Sequence, residues 1–358
     1  MDESTLSPPP GEVASAPLTE PPVNTAGSPN GRRKTVSTWL IRLFKALVSA
    51  TLIYLLVQTM QKDALQTALA QANLWWILVA FTLVPVNLLL QGMRWHLLVA
   101  TDTPGIRFSK IFGSFLGGLS LGLITPGRVG EVGRVFLLDV PSRMRLAGLH
   151  VLDKLYFVAG VAFLGPLTLF FMPGFRDALP DGIRRGAEVL VLILPLLYFV
   201  FALRPQPLRG LLLALQLGLG IKGRTLELLR AYDGIHTRHC LKATGLTLLQ
   251  FLSIFTQFYL LSRAFQPVAW LTAAHTYAAA LFVKTALPIS LGSLGVGEWA
   301  AVSFYMRYGI ADTTGFTASI LLFATNVLLP GLIGLIVLVR TRPTALLNRL
   351  KNIWGEAA

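Results

Sequence analysis

The chain has 358 residues, of which 54% are hydrophobic and only 13% charged, with a formal net charge of +14 and a mean hydropathy of +0.63. That composition excludes an ordinary soluble domain and describes a polytopic membrane protein. The basic residues lie between apolar spans rather than along one soluble face with interleaved aromatics. The charge therefore points to anionic lipid and away from nucleic acid.

Residues Met1 to Gly31 are rich in Pro, Ser and Thr and poor in large apolar side chains, so residues 1–35 read as a disordered cytoplasmic tail. Arg32-Arg33-Lys34 leads into an apolar run that ends near Met60 without a small-residue cleavage pattern, so this segment is expected to remain as an anchor. Full spans are predicted at 39–60, 74–99, 146–172, 187–203, 243–263 and 315–340, each near the length that a hydrocarbon core of roughly 30 Å demands. In lipid every backbone polar group must be satisfied internally, which makes the fold all-α. Segments 108–139 and 271–309 differ, each having two short apolar arms around a Pro/Gly-rich break. They read as broken or re-entrant helical hairpins.

The distribution of Lys and Arg sets the orientation. With both termini in the cytoplasm, Arg107, Lys110, Arg143, Arg145, Arg204, Arg209, Arg238, Lys242, Arg340 and Arg342 fall inside, whereas Lys62, Arg176, Arg184, Arg185 and Arg263 fall outside. Each half then reads span, span, hairpin, span. The first repeat covers 36–172, an external loop follows at 173–186, and the second repeat covers 187–342 with a basic cytoplasmic linker at 204–242. A cytoplasmic tail occupies 343–358. Three net crossings per half make the halves inverted repeats, whose hairpins open to opposite sides and bring their turns together near mid-membrane.

Both hairpins carry the tripeptide Val-Gly-Glu. In the first, Pro126, Gly127 and Arg128 precede Gly130 and Glu131, with Arg134 beyond; in the second, Pro288, Gly292 and Gly295 precede Gly297 and Glu298. A carboxylate beside a Pro/Gly break in apolar sequence is costly, so its occurrence in both halves marks a candidate site. A lipid phosphate could sit between Arg128, Arg134 and backbone N–H groups freed at Pro126-Gly127. Alternatively, Glu131 neutralises one arginine and staples the hairpin, and the two readings are compatible. Lys284 lies one turn before Pro288, so Lys284 and Glu298 form either a permanent ion pair or a proton-coupled, switching one.

Asp153 and Lys154 open an otherwise apolar span about 100° apart, so one is expected to meet the site and the other to snorkel to the interface. Arg94 is expected at the interface for the same reason. Gly113, Gly117, Gly118 and Gly122 form small-xxx-small pairs suited to close helix packing, while Thr125, Ser290 and Ser293 either bind headgroup oxygens or satisfy carbonyls at the breaks. His236, His239 and Cys240 match no zinc spacing, and Cys240 is the only cysteine, which leaves no disulfide or thiolate cluster. Gly127 to Gly133 lacks a Walker ending. Neither metal nor cofactor is expected.

Arg94-Trp95, the run Thr125 to Glu131 with Arg134, and the run Leu287 to Gly292 leading to Gly295-Val296-Gly297-Glu298 resemble the transmembrane, flippase-type region of the lysylphosphatidylglycerol synthase family. The resemblance implies a stand-alone member that translocates a lipid or lipid-linked headgroup. Relatives are associated with aminoacylated phospholipids, polyprenyl-linked sugars and hopanoids. The chain ends about twenty residues after its last span, so the soluble aminoacyl-transferase domain is expected to be absent. Where the family often has an acidic residue followed by Arg, this chain has Asp153-Lys154. The expected partner is an anionic phospholipid or a polyprenyl-linked lipid, in the cytoplasmic (inner) membrane of a bacterium. Competing readings are a membrane-embedded transferase using Glu131 or Glu298 as base, and a secondary transporter of a small solute.

Overall fold

A computed structural model describes residues 70–203, 229–287 and 295–341, together with the single residues Tyr54 and Gly210. Nine α-helices run through the described residues: α1 (Leu74–Asp102), α2 (Phe108–Ile124), α3 (Arg143–Phe170), α4 (Asp181–Leu203), α5 (Thr237–Arg263), α6 (Trp270–Ala286), α7 (Val296–Met306), α8 (Asp312–Phe323) and α9 (Leu329–Thr341). A 3-10 segment, Pro126–Leu137, follows α2, and a single π turn, Ala324–Leu328, joins α8 to α9. No strand occurs among the described residues. The predicted span 39–60, both tails, most of the linker, Pro288, Ser290, Gly292 and Ser293 lie outside them.

Among the described residues, four helices are long and apolar enough to cross a bilayer: Leu74–Asp102, Arg143–Phe170, Thr237–Arg263 and Asp312–Val339. The 29 residues of α1 extend about 43 Å at 1.5 Å per residue, enough to span with tilt. The helix starts and stops by local capping. The Asn73 side chain accepts from the Trp75 N–H at 3.1 Å, and the Thr103 N–H returns to the Val99 carbonyl at 2.9 Å. Pro85 and Pro166 lie inside α1 and α3, as is tolerated where neighbouring helices surround the freed carbonyl.

Two boundaries differ from the sequence expectation. The fourth helix begins at Asp181 rather than 187, because Asp181 supplies a negative charge to the first turn and pairs with Arg184 at 2.6 Å. The fifth begins at Thr237, inside the expected linker, where His239 Nδ1 accepts the His236 N–H at 3.2 Å and closes the helix start.

The first interrupted segment is a hairpin. The 17-residue α2 reaches about 25 Å, and the 12-residue 3-10 segment returns about 24 Å alongside it. Both stop short of a full hydrocarbon core. Helix α1 packs antiparallel to α5, α2 packs on α9, and α3 packs on α6. The first hairpin thus leans on the last span of the second half, and the second hairpin's first arm leans on the last described span of the first half. Exposed Leu192, Leu196, Ile336 and Val339 on α4 and α9 provide apolar surface for lipid.

Candidate functional site

A 3-10 run of 12 residues is unusual, since its eclipsed side chains and poorer hydrogen bonds ordinarily limit it to a turn. The sequence here suits it. Gly127, Gly130 and Gly133 recur every third residue, as do Glu131, Arg134 and Leu137, and Val129, Val132 and Val135. At three residues per turn these become three rows. The glycine row faces α2 closely: a Cβ at Gly130 would lie 2.2 Å from the Leu121 carbonyl oxygen, and one at Gly133 2.4 Å from Leu121 Cδ1. The row of Glu131, Arg134 and Leu137 fills a groove in α2, where a Cβ at Gly122, Gly118 or Gly117 would approach them to 2.5–2.7 Å. The expected small-residue packing therefore holds for Gly117, Gly118 and Gly122. Gly113 takes no part, having open space around it.

At the tip, Thr125 bridges the two arms. Its Oγ1 donates to the Leu121 carbonyl at 3.0 Å and accepts the Gly130 N–H at 2.7 Å, which is the backbone-satisfying alternative of the two expected. Arg128 has a φ of 59°, a left-handed conformation uncommon outside glycine. This turn folds its guanidinium back onto Glu131, with Nε 2.5 Å from Oε1. The other oxygen of Glu131 pairs with Lys154 of α3. The Glu131 carboxylate is 3% exposed, whereas the side chains of Arg128 and Lys154 are 33% and 44% exposed.

One turn along the same row, Arg134 Nη2 meets Asp153 Oδ2 at 2.7 Å, and Asp153 Oδ1 meets Arg94 Nε of α1 at 2.7 Å. Arg94 continues to α5, donating to Thr247 Oγ1 at 3.0 Å and to Gln250 Oε1 at 2.7 Å. The Arg134 guanidinium lies 3.8 Å above the Trp95 ring, and the Trp95 indole N–H donates to Ser114 at 3.3 Å. Asp153 therefore joins α1, α3 and the 3-10 segment directly and α5 through Arg94.

Three expectations are corrected here. Arg94 is not interfacial: it is 3% exposed, because Asp153 and the α5 amide and hydroxyl replace its water. Arg134 does not flank an open seat: it is 2% exposed, committed to Asp153 and Trp95. Asp153 and Lys154 both reach the same neighbour, Asp153 through Arg134 and Lys154 through Glu131. The long lysine side chain covers the angle that separates adjacent positions on a helix.

The second hairpin is built differently. Gly295, at a φ of 88°, precedes α7, and Glu298, 1% exposed, accepts the Gly295 N–H at 2.6 Å. Its carboxylate caps the helix start, a favourable place for negative charge. Among the described residues Lys284 and Glu298 form no ion pair; the Lys284 side chain instead packs beside Gly297. Lys284 lines a cavity of about 40 Å³ with Tyr277, Ser319 and Asn326.

Sequence reasoning missed an amide cluster beside this cavity. Asn87 donates to Asn326 at 2.5 Å, Asn326 to Gln257 at 2.7 Å, and Gln257 to Thr325 at 3.2 Å, linking α1, α5 and the π turn. The available signal was spacing. Asn87 and Arg94 on α1, like Gln250 and Gln257 on α5, are seven residues apart and meet as two polar layers of an antiparallel pair.

Fold and site together define a helical membrane protein organised around a buried ion-pair network. The sequence model described as the lysylphosphatidylglycerol synthase TM region matches residues 42–334, and the chain belongs to that family. No curated protein matches it. Family membership gives the protein a membrane, lipid-related role.

Proposed function

We propose that the protein translocates a lipid headgroup across the cytoplasmic membrane, with the headgroup in the polar seam beside the first hairpin and the tail left in lipid. The observation that carries this reading is the cluster Arg128–Glu131–Lys154. It is a set of ionised side chains at a hairpin break in apolar sequence, with its carboxylate buried and both cations accessible. Ionisable side chains within membrane segments are costly and characteristically mark substrate and ion pathways. Between α1 and α5, an open groove of about 770 Å³, lined mainly by Leu89, Met93, Leu97, Leu246 and Leu249 with Lys242 among its lining residues, offers an apolar bed for a lipid chain.

On this reading both termini are cytoplasmic and the halves are inverted repeats. The exchange of contacts supports that arrangement, since α2 on α9 and α6 on α3 are equivalent pairings under a swap of halves. Glu131 holds the two cations in place and no covalent step is required. The test is reconstitution of the full chain into liposomes with labelled phospholipids. Wild type is expected to equilibrate them across the bilayer, and Glu131→Gln and Arg128→Ala to slow this at least about tenfold while retaining their fold. Equal rates in all three proteins would refute the assignment, and a chemically altered lipid would favour a transferase.

A further inference from the structure

The polar lining of the cavity in the second half comes from Lys284 and Tyr277 of α6, Gly297 of α7, Ser319 of α8 and Asn326 of the π turn; the rest of its wall is apolar, and no acidic side chain lines it. Among the described residues the Ser319 hydroxyl, on a residue only 5% exposed, makes no hydrogen bond. Neither does the Tyr277 hydroxyl, whose ring stacks on Phe258 at 4.7 Å. The Lys284 ammonium meets no carboxylate in an ion pair among the described residues, the stretch 288–294 contains no acidic residue, and Glu298 turns a carboxylate oxygen to the Gly295 N–H at 2.6 Å. Gly297 admits the lysine to the start of α7, since a Cβ there would lie 3.2 Å from Lys284 Cδ and 3.8 Å from Nζ. The first N–H groups of a helix have no acceptor within it, so Gly297, the second residue of α7, brings a backbone donor to the same place. Asn326 is different, because its amide is engaged by Asn87 and Gln257 and fixes the wall.

We infer that this cavity binds a small monovalent inorganic anion, with chloride as the test case, between the Lys284 ammonium and the Tyr277 and Ser319 hydroxyls. An ammonium withdrawn from water needs a counter-charge or a full set of hydrogen bonds. Here the groups around it are hydroxyls and a helix-start N–H, all able to point a hydrogen at an anion. Size narrows the ligand. A cavity of about 40 Å³ holds roughly two or three water molecules, which is room for one halide and not for a glycerophosphate headgroup. The ligand is therefore distinct from the lipid assigned to the first hairpin, and the inference stands without that assignment. Bound there, the anion ties the two arms of the second hairpin, α6 and α7, to α8.

The test follows the thermal midpoint of the full chain in detergent while sodium chloride replaces sodium gluconate at constant ionic strength, so that screening stays fixed. Chloride is expected to raise the wild-type midpoint saturably, by about 2 °C or more. Ser319→Ala, which removes a hydroxyl with no other partner, should need at least about tenfold more chloride for half the effect. Lys284→Met should abolish the response. A wild-type midpoint indifferent to chloride overturns the inference, and so does a response that Lys284→Met retains, which is a general salt effect. If Lys284→Met does not fold, Ser319→Ala decides, and an unchanged chloride requirement in that variant overturns the site. In crystals grown with bromide, anomalous density is expected between Lys284 Nζ and the two hydroxyls; a cavity holding water alone overturns the anion. Lipid movement enters none of these readouts, so failure here leaves the role of the first hairpin untouched.

Discussion

Asp153 and Lys154 are adjacent, oppositely charged and paired with the same 3-10 segment, yet they should respond very differently to neutralisation. Asp153 holds Arg94 and Arg134, all three nearly inaccessible, so Asp153→Ala leaves two buried guanidinium groups without their carboxylate. Breaking a buried network from one side costs about 3–5 kcal/mol, and this variant is expected to show the largest loss of thermal midpoint in detergent among single changes at the site. Lys154 keeps 44% of its side chain exposed, so Lys154→Gln should cost about 1 kcal/mol or less. A midpoint loss for Lys154→Gln equal to that of Asp153→Ala would contradict the difference in burial between the Arg94–Asp153–Arg134 set and the Arg128–Glu131–Lys154 set. Arg128 provides the complementary case. Its left-handed φ of 59° strains an L-residue by roughly 1–2 kcal/mol, which glycine relieves, against the loss of a partly exposed ion pair. Arg128→Gly is therefore expected to keep the wild-type midpoint within about 1 kcal/mol while losing lipid movement, a pair of readouts that a purely stapling arginine would not give.

The first hairpin depends on what α2 lacks. A Cβ at Gly122 would sit 2.5 Å from Glu131 Cγ, and one at Gly334 of α9 would sit 2.0 Å from the Leu116 carbonyl oxygen. The first clash is with a side chain that can shift, the second with backbone that cannot. Gly334→Ala should separate α9 from α2 at a cost of about 2 kcal/mol or more, and Gly122→Ala should cost less while displacing Glu131 and slowing transport. Gly113→Ala, with open space around it, should be neutral or stabilising by up to about 1 kcal/mol. Thermal unfolding of the three variants orders them, and a neutral Gly334→Ala would show that the α2–α9 contact is looser than described. Four of the six expected spans, at 74–99, 146–172, 243–263 and 315–340, were readable beforehand because length and hydropathy decide them, and the first hairpin because Pro126 and Gly127 interrupt an arm too short to cross. Its second arm was not read as 3-10. The three-residue recurrence of Gly, charge and Val is visible in the sequence, but such runs are rarely long enough to be considered. Arg94 was misplaced for a different reason: a span-end arginine looks interfacial unless its acceptors, Asp153, Thr247 and Gln250, are known to converge from two other helices.

Translocation by two halves requires that some contacts between them change, and the pairing of α2 with α9 is a contact that can be locked without touching the charged network. An ideal Cβ on Gly331 lies 3.4 Å from Leu123 Cβ, close to the separation of roughly 3.5–4.5 Å that a disulfide spans. With Cys240, which is buried, replaced by Ser, the pair Leu123→Cys and Gly331→Cys is expected to cross-link under mild oxidation in membranes. If the first hairpin moves against the last span of the second half during the cycle, the oxidised protein should lose lipid movement and regain it on reduction, while each single cysteine variant stays insensitive to oxidant. The position separates movement from binding. The lock leaves Arg128, Glu131 and Lys154 chemically intact, so stabilisation by phosphatidylglycerol should survive it. Undiminished lipid movement in fully cross-linked protein would show that the α2–α9 pair travels as one body, and the moving boundary would then have to lie elsewhere, with the α3–α6 contact as the equivalent place to test.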